Sequence, residues 1–125
     1  MVKKIALEEH FLSPEYVEPW LPTVAEMPSA KRDYLHGALT DFGERRLASM
    51  DKAGITHAVL GLAGPGAQVQ RDTAKAIRDA RSSNDFLAKE IQKRPDRYSG
   101  FAHLAMPGWR LLRSSLARAS CAPLA

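Results

Sequence analysis

The stretch ALEEHF, residues 6–11, sets two carboxylates and an imidazole between apolar neighbours. Residues 3–11 alternate with the period of a β-strand. Ile5, Leu7 and Phe11 fall on one side, and Lys4, Ala6, Glu8 and His10 on the other. On such a strand Glu8 and His10 point the same way, about 6–7 Å apart at ~3.3 Å rise per residue, and Glu9 points to the opposite face. A carboxylate oxygen and an imidazole nitrogen on one face can converge on a divalent metal such as zinc. The small Ala6 would leave room beside them, with Ile5 and Leu7 packed outward against helices. Glu-x-His is a short pattern that recurs freely, and a charged strand end facing water is the competing reading.

The rest of the chain must position this pair. Residues 12–40 carry Pro14, Pro19, Pro22 and Pro28, which predict a long loop with one short helix. From Asp41, the run DFGERRLASMDKAG places an acid three residues before Glu44, in the manner of a capping box. Leu47, Met50 and Ala53 then give a helical stripe, and Gly54 fits the glycine that ends a helix. ITHAVLGL, 55–62, predicts a buried strand, and the glycine–proline loop AGPGAQ follows it. Residues 70–93 form the longest helical pattern, through Ala74, Ile77, Ala80 or Arg81, Asn84, Leu87 or Ala88, and Ile91, stopped by Pro95. YSGFAHLA, 98–105, predicts a third strand. The order β-α-β-α-β indicates a parallel sheet with crossover helices.

Composition narrows the function classes. The length of 125 residues, 45% hydrophobic and 26% charged, suits one domain with a modest core. A single cysteine excludes an internal disulfide. No apolar run approaches a membrane span, and the first residues lack a signal-peptide core, so a soluble, cytoplasmic chain without a membrane partner is expected. The net charge of +4 comes from the end of the chain: residues 106–125 carry three arginines and no acid, leaving 15 basic against 14 acidic side chains elsewhere. That distribution is no basic stripe interleaved with aromatics, so no nucleic-acid partner is expected.

Three segments, KIALEEHF, GERRLASMDKAGITHAVLGLAGPGAQ and ARSSNDFLAKEIQKRPDRYSGFAHLA, resemble the opening third of the amidohydrolase-related metal-dependent decarboxylases. That branch includes the γ-resorcylate, 2,3-dihydroxybenzoate and 5-carboxyvanillate decarboxylases, and LEEHF is most similar to the γ-resorcylate type. The resemblance runs from about residue 3 to 105. It implies an α/β fold in which residues 1–105 form a partial (β/α)8 TIM barrel, its first two to three βα units, followed by a divergent tail. It also implies a divalent metal, zinc in preference to manganese, held by Glu8 and His10. Ala63, Gly64 and Pro65 would line the pocket for a small aromatic carboxylate. Full-length relatives would be open to homo-oligomerisation.

The departures from the family pattern are as informative. The family draws further ligands, a histidine and an aspartate, from strands beyond residue 125, and its catalytic acid is a metal-associated aspartate. No catalytic residue is therefore assigned. His57 opens a strand and is expected at the surface or against a helix. His103 is expected in core packing or at the pocket edge, His36 in a solvated loop, and Cys121 is expected to be unreactive. After GFAHLA the family pattern stops, and the tail's Arg, Ser, Ala and Pro bias suggests out-of-frame translation of residues 106–125. Three functional readings stand. They are a decarboxylase portion inactive alone, an enzyme completed by another chain, and a small non-catalytic α/β binding module. A metal-dependent hydrolase of the same superfamily remains an alternative to a decarboxylase.

Overall fold

The computed structural model describes residues 3–106. The predicted order holds, with more helix than expected. Strand β1 spans Lys4–Phe11, helix α1 Pro14–Trp20, α2 Ser29–Thr40, α3 Glu44–Ala53, β2 Ile55–Leu62, α4 Thr73–Lys93 and β3 Tyr98–Gly100. Short 3-10 turns cover Leu21–Val24 and Gly66–Val69. The strands form one parallel sheet in the order β1-β2-β3.

The segment 12–40 is mainly helical, not a long loop. Its prolines largely start helices instead of breaking them. Pro14 stands in the first turn of α1, Pro22 in the first turn of the 3-10 helix, and Pro28 at the N-cap of α2. Leu12, Tyr16, Trp20 and Val24 recur every fourth residue, and all four are buried in one cluster with Ala63, Ala67, Ala76, Ala80 and Ala105. His36 accordingly lies in α2, half-buried beside the Trp20 ring, not in a solvated loop.

Helix α3 ends as expected. Gly54 adopts φ 69°, a left-handed conformation that favours glycine. Its start differs from the capping-box expectation, since Gly43 is the N-cap. The Asp41 carboxylate still accepts from the backbone N–H groups of Gly43 (2.8 Å) and Arg46 (3.2 Å), so it satisfies the helix start from two residues further back. Helix α4 is capped by Asp72, whose side chain accepts from the Lys75 N–H at 2.7 Å. Its buried stripe is Ala76, Ala80, Ser83 and Leu87, beginning two residues later than the stripe started at Ala74.

The main core lies between the sheet and helices α3 and α4. Phe11, Phe42, Met50, Ala58, Leu60, Leu87 and Tyr98 are buried there. Phe42 meets the rings of Phe11 and Tyr98 edge-on at 5.7 and 6.3 Å, and its carbonyl accepts from the Tyr98 hydroxyl at 3.1 Å.

Arg46 fastens the parts together. Its guanidinium donates to the carbonyls of Asp41 (2.7 Å), His10 (2.8 Å) and Ala38 (2.9 Å), with Glu9 at 3.8 Å. It therefore satisfies a last-turn carbonyl of α2 and holds the C-terminal end of β1. Arg46→Ala leaves these carbonyls without their donor and is expected to cost about 2–4 kcal/mol. Arg46→Lys, with a point charge instead of a planar fork, is expected to recover only part of the loss. Urea unfolding of both variants checks this.

Candidate metal centre and substrate loop

Glu8 and His10 owe their placement to an irregularity in β1. Ala6 pairs with Ala58, yet Glu9 pairs with Leu60, so three steps along β1 match two along β2. One extra residue is accommodated at Leu7–Glu8, as in a β-bulge. Strict alternation therefore fails. Before the bulge Ala6 joins the helix-side core beside Ala58, and after it Phe11 does. Ile5 and Leu7 do not pack outward against helices; they are 59% and 64% exposed. The small Ala6 lines the helix side, not the opposite face. Phe11 is buried on the helix side, so by alternation the side chain of His10, paired with Gly61, falls on the opposite face, while its carbonyl meets Arg46; Glu9 lies 3.8 Å from Arg46 on α3. Glu8 and His10 are both exposed at the C-terminal half of the strand.

In donor type the pair fits a divalent cation, one hard carboxylate oxygen and one imidazole nitrogen. In number it does not complete a site. Among the described residues no group of three or more His, Cys, Asp or Glu side chains could hold an ion. Cys121 lies outside the described residues.

The loop after β2 sits at the same end of the sheet. Ala63 is buried, and its N–H donates to the Phe11 carbonyl at 2.9 Å, so that N–H is already engaged. Gly64 is exposed, and a Cβ there would meet nothing within 4 Å; Pro65, joined to it by a cis peptide, is half-buried. Gly64 and Pro65 are thus the members of the triplet that can meet a ligand, and Ala63 anchors them to β1.

His103 holds the far side of this loop. Strand β3 ends at Gly100, five residues before the predicted boundary, because Asn84 of α4 captures the chain beyond it. The Asn84 side chain donates to the His103 carbonyl (2.9 Å) and accepts from its N–H (2.8 Å). The His103 Nε2 then accepts from the Ala67 N–H at 3.0 Å, and the ring lies edge-on to Tyr16. Gly66, at φ 56°, has no room for a side chain, since a Cβ would stand 2.7 Å from that Nε2. Burial lowers the His103 pKa and, with Asp79 and Glu15 near, pushes the Tyr16 hydroxyl up to about 12. His103 is therefore a neutral ring that braces the loop. His57 bridges β2 and β3, its ring nitrogens 3.1 Å from the Asp96 carbonyl and 3.0 Å from the Ser99 hydroxyl. Two positioning residues carry no signal in the sequence, Asn84, which reaches His103, and Arg46, which reaches His10.

No protein-family model matches the chain. It is 37% identical over 115 residues to the γ-resorcylate decarboxylase of Polaromonas sp. JS666, covering 92% of this chain and 34% of that protein. This chain is a homologue of the γ-resorcylate decarboxylases. It spans about a third of the length of the curated relatives it matches. Among solved structures, a dihydroxybenzoic acid decarboxylase from Polaromonas sp. JS666, with bound manganese and 2-nitroresorcinol, superposes with a TM-score of 0.79 at 36% identity. That match covers 94% of this chain and 36% of the other. The 5-carboxyvanillate decarboxylase of Novosphingobium aromaticivorans, complexed with manganese and a nitrobenzoic acid, gives 0.80 at 32%, covering 93% and 38%. These neighbours are barrels of the amidohydrolase fold, and the three-stranded parallel sheet is part of such a barrel. They hold manganese, so the expectation of zinc finds no support in them. Among the described residues no helix is long and apolar enough to cross a membrane.

The His103 brace predicts a pH dependence. The unfolded ring takes up a proton below about 6.5, and the folded ring resists until lower pH, so stability falls as pH drops below that value. His103→Gln keeps an acceptor for Ala67 and removes the titration. Urea midpoints at neutral and acid pH should converge in the variant relative to the parent.

Proposed function

We propose that this chain is the part of a hydroxybenzoate decarboxylase that carries two ligands of its metal centre, Glu8 and His10, and is inactive by itself. The supporting observation is the bulged C-terminal half of β1. It turns His10 away from the helices, beside the exposed Glu8 and at the same end as the substrate loop. Ligand sites of parallel barrels lie at that end of the strands. A divalent ion bound there, manganese as in the neighbours, supplies Lewis-acid stabilisation of the substrate anion. Glu8 and His10 hold it, Gly64 and Pro65 shape the space for a small aromatic carboxylate, and His103 keeps their loop in place. Decarboxylation is preferred to hydrolysis because the relatives matched over most of this chain are decarboxylases. Residues 106–125, read as an out-of-frame tail, take no part in this proposal.

The test is a graft. Residues 3–105 replace the matching third of the Polaromonas γ-resorcylate decarboxylase. The chimera is expected to release CO2 from γ-resorcylate. Glu8→Gln or His10→Asn within it should lower kcat/KM by more than ~100-fold, since even partners of metal ligands are worth ~10–100-fold. A folded, manganese-loaded chimera with no turnover would overturn the reading, and so would turnover by the 125-residue chain alone.

A further inference from the structure

Asn84 stands in the interior of α4. Asparagine is a poor residue there, because its side chain competes for backbone groups, so helix formation does not call for it. Its amide serves the tertiary structure instead. It donates to the His103 carbonyl at 2.9 Å and accepts from the His103 N–H at 2.8 Å, as the backbone of a neighbouring strand would. Both backbone groups of one residue are thereby fixed, and the base of its ring with them.

The ring passes that position on. Its Nε2 accepts from the Ala67 N–H at 3.0 Å, and a Cβ on Gly66 would stand 2.7 Å from the same nitrogen. A shift of His103 is therefore felt at Gly66 and Ala67, directly after Gly64 and Pro65. The other end of the segment is held separately, by the Ala63 N–H on the Phe11 carbonyl at 2.9 Å. The loop 63–67 is thus suspended between the end of β1 and the chain after β3. One turn of α4 grips both supports: Ser83, next to Asn84, pairs with Ser13 just beyond β1 at 2.8 Å, and both serines are buried.

We infer that Asn84 sets the affinity for the small aromatic carboxylate, because through His103 and Ala67 it fixes where Gly64 and Pro65 stand. It is a positioning residue, not a catalytic one. This rests on the proposed decarboxylase reading and extends it to a residue whose own bonds go to the His103 backbone. The path runs through α4, the chain after β3 and the loop after β2, and includes neither Glu8 nor His10. Loss of Asn84 leaves the metal ligands in place and loosens a wall that the substrate meets before and during reaction alike. Its effect therefore falls on KM and not on kcat.

Amide hydrogen exchange on the full 125-residue chain tests the path, and kinetics of the grafted decarboxylase test its purpose. In Asn84→Ala the Ala67 amide is expected to exchange ~10-fold faster or more, while the Ala63 amide keeps its parental rate. In the graft the same variant should raise KM for γ-resorcylate ~5-fold or more, with kcat within ~2-fold and manganese affinity unchanged. In a His103→Ala background Asn84→Ala should add nothing further to KM, since the path is already cut. Asn84→Asp keeps an acceptor for the His103 N–H and loses the donor to its carbonyl, so it should fall between Ala and the parent. It serves as the test variant where Asn84→Ala does not fold. Unchanged Ala67 exchange in the folded variant overturns the inference. An unchanged KM in an active graft also overturns it, as does a joint loss of kcat and manganese affinity, or an equal rise in KM without His103. A manganese-loaded parent graft with no turnover refutes the decarboxylase reading instead, and the Ala67 exchange rates then uphold or overturn the path by themselves.

Discussion

The fold depends on one buried cation. The Arg46 guanidinium, with a side chain only 10% exposed, gathers the carbonyls of Ala38, Asp41 and His10. Burial lowers its pKa, an effect that Tyr98, Glu9 and Asp41 oppose. Those carbonyls belong to three separate pieces of chain: the end of α2, the loop into α3 and the end of β1. With Arg46 in place, the residue that carries the candidate imidazole ligand is held from behind by its own backbone oxygen. The side chain of His10 is then free for the other face.

The same logic recurs across the sheet. At β1 a bulge turns His10 away from the core; after β2 the Ala63–Phe11 hydrogen bond ties the loop to the first strand; after β3 the Asn84 clasp places His103 under Ala67. Each device fixes backbone and leaves the C-terminal end of the strands open. The buried Ser13–Ser83 hydroxyl pair, 2.8 Å apart, ties the start of α1 to α4 beneath them. Side chains locked from the helix side can present chemistry on the other side without rearranging.

Strand β2 is legible in the sequence because the apolar run 58–62 lies between Gly54 and a glycine–proline loop. Helix α4 was legible for its length and for Pro95. Helices α1 and α2 are not, because proline reads as a breaker, whereas three of the four stand at helix starts. The spacing of Leu12, Tyr16, Trp20 and Val24 would have corrected that. The bulge could not be read from alternation, since it exists only in the register between two strands. Arg46 and Asn84 are not legible for a related reason: the contacts that matter, with the His10 carbonyl and with the His103 backbone, join remote parts of the chain. Glu8 and His10 stand out by type and spacing as a candidate pair, and the resemblance, not the spacing, gives that pair its weight.

The central claim is that Glu8 and His10 are two ligands of a centre that this portion of a barrel does not complete. Manganese titration of the purified 125-residue chain, followed by the electron paramagnetic resonance of free Mn²⁺, tests it most directly. Weak binding with no stoichiometric saturation is expected, with no difference between the parent and Glu8→Gln. Saturation at one tightly held ion per chain, abolished by Glu8→Gln, would contradict it.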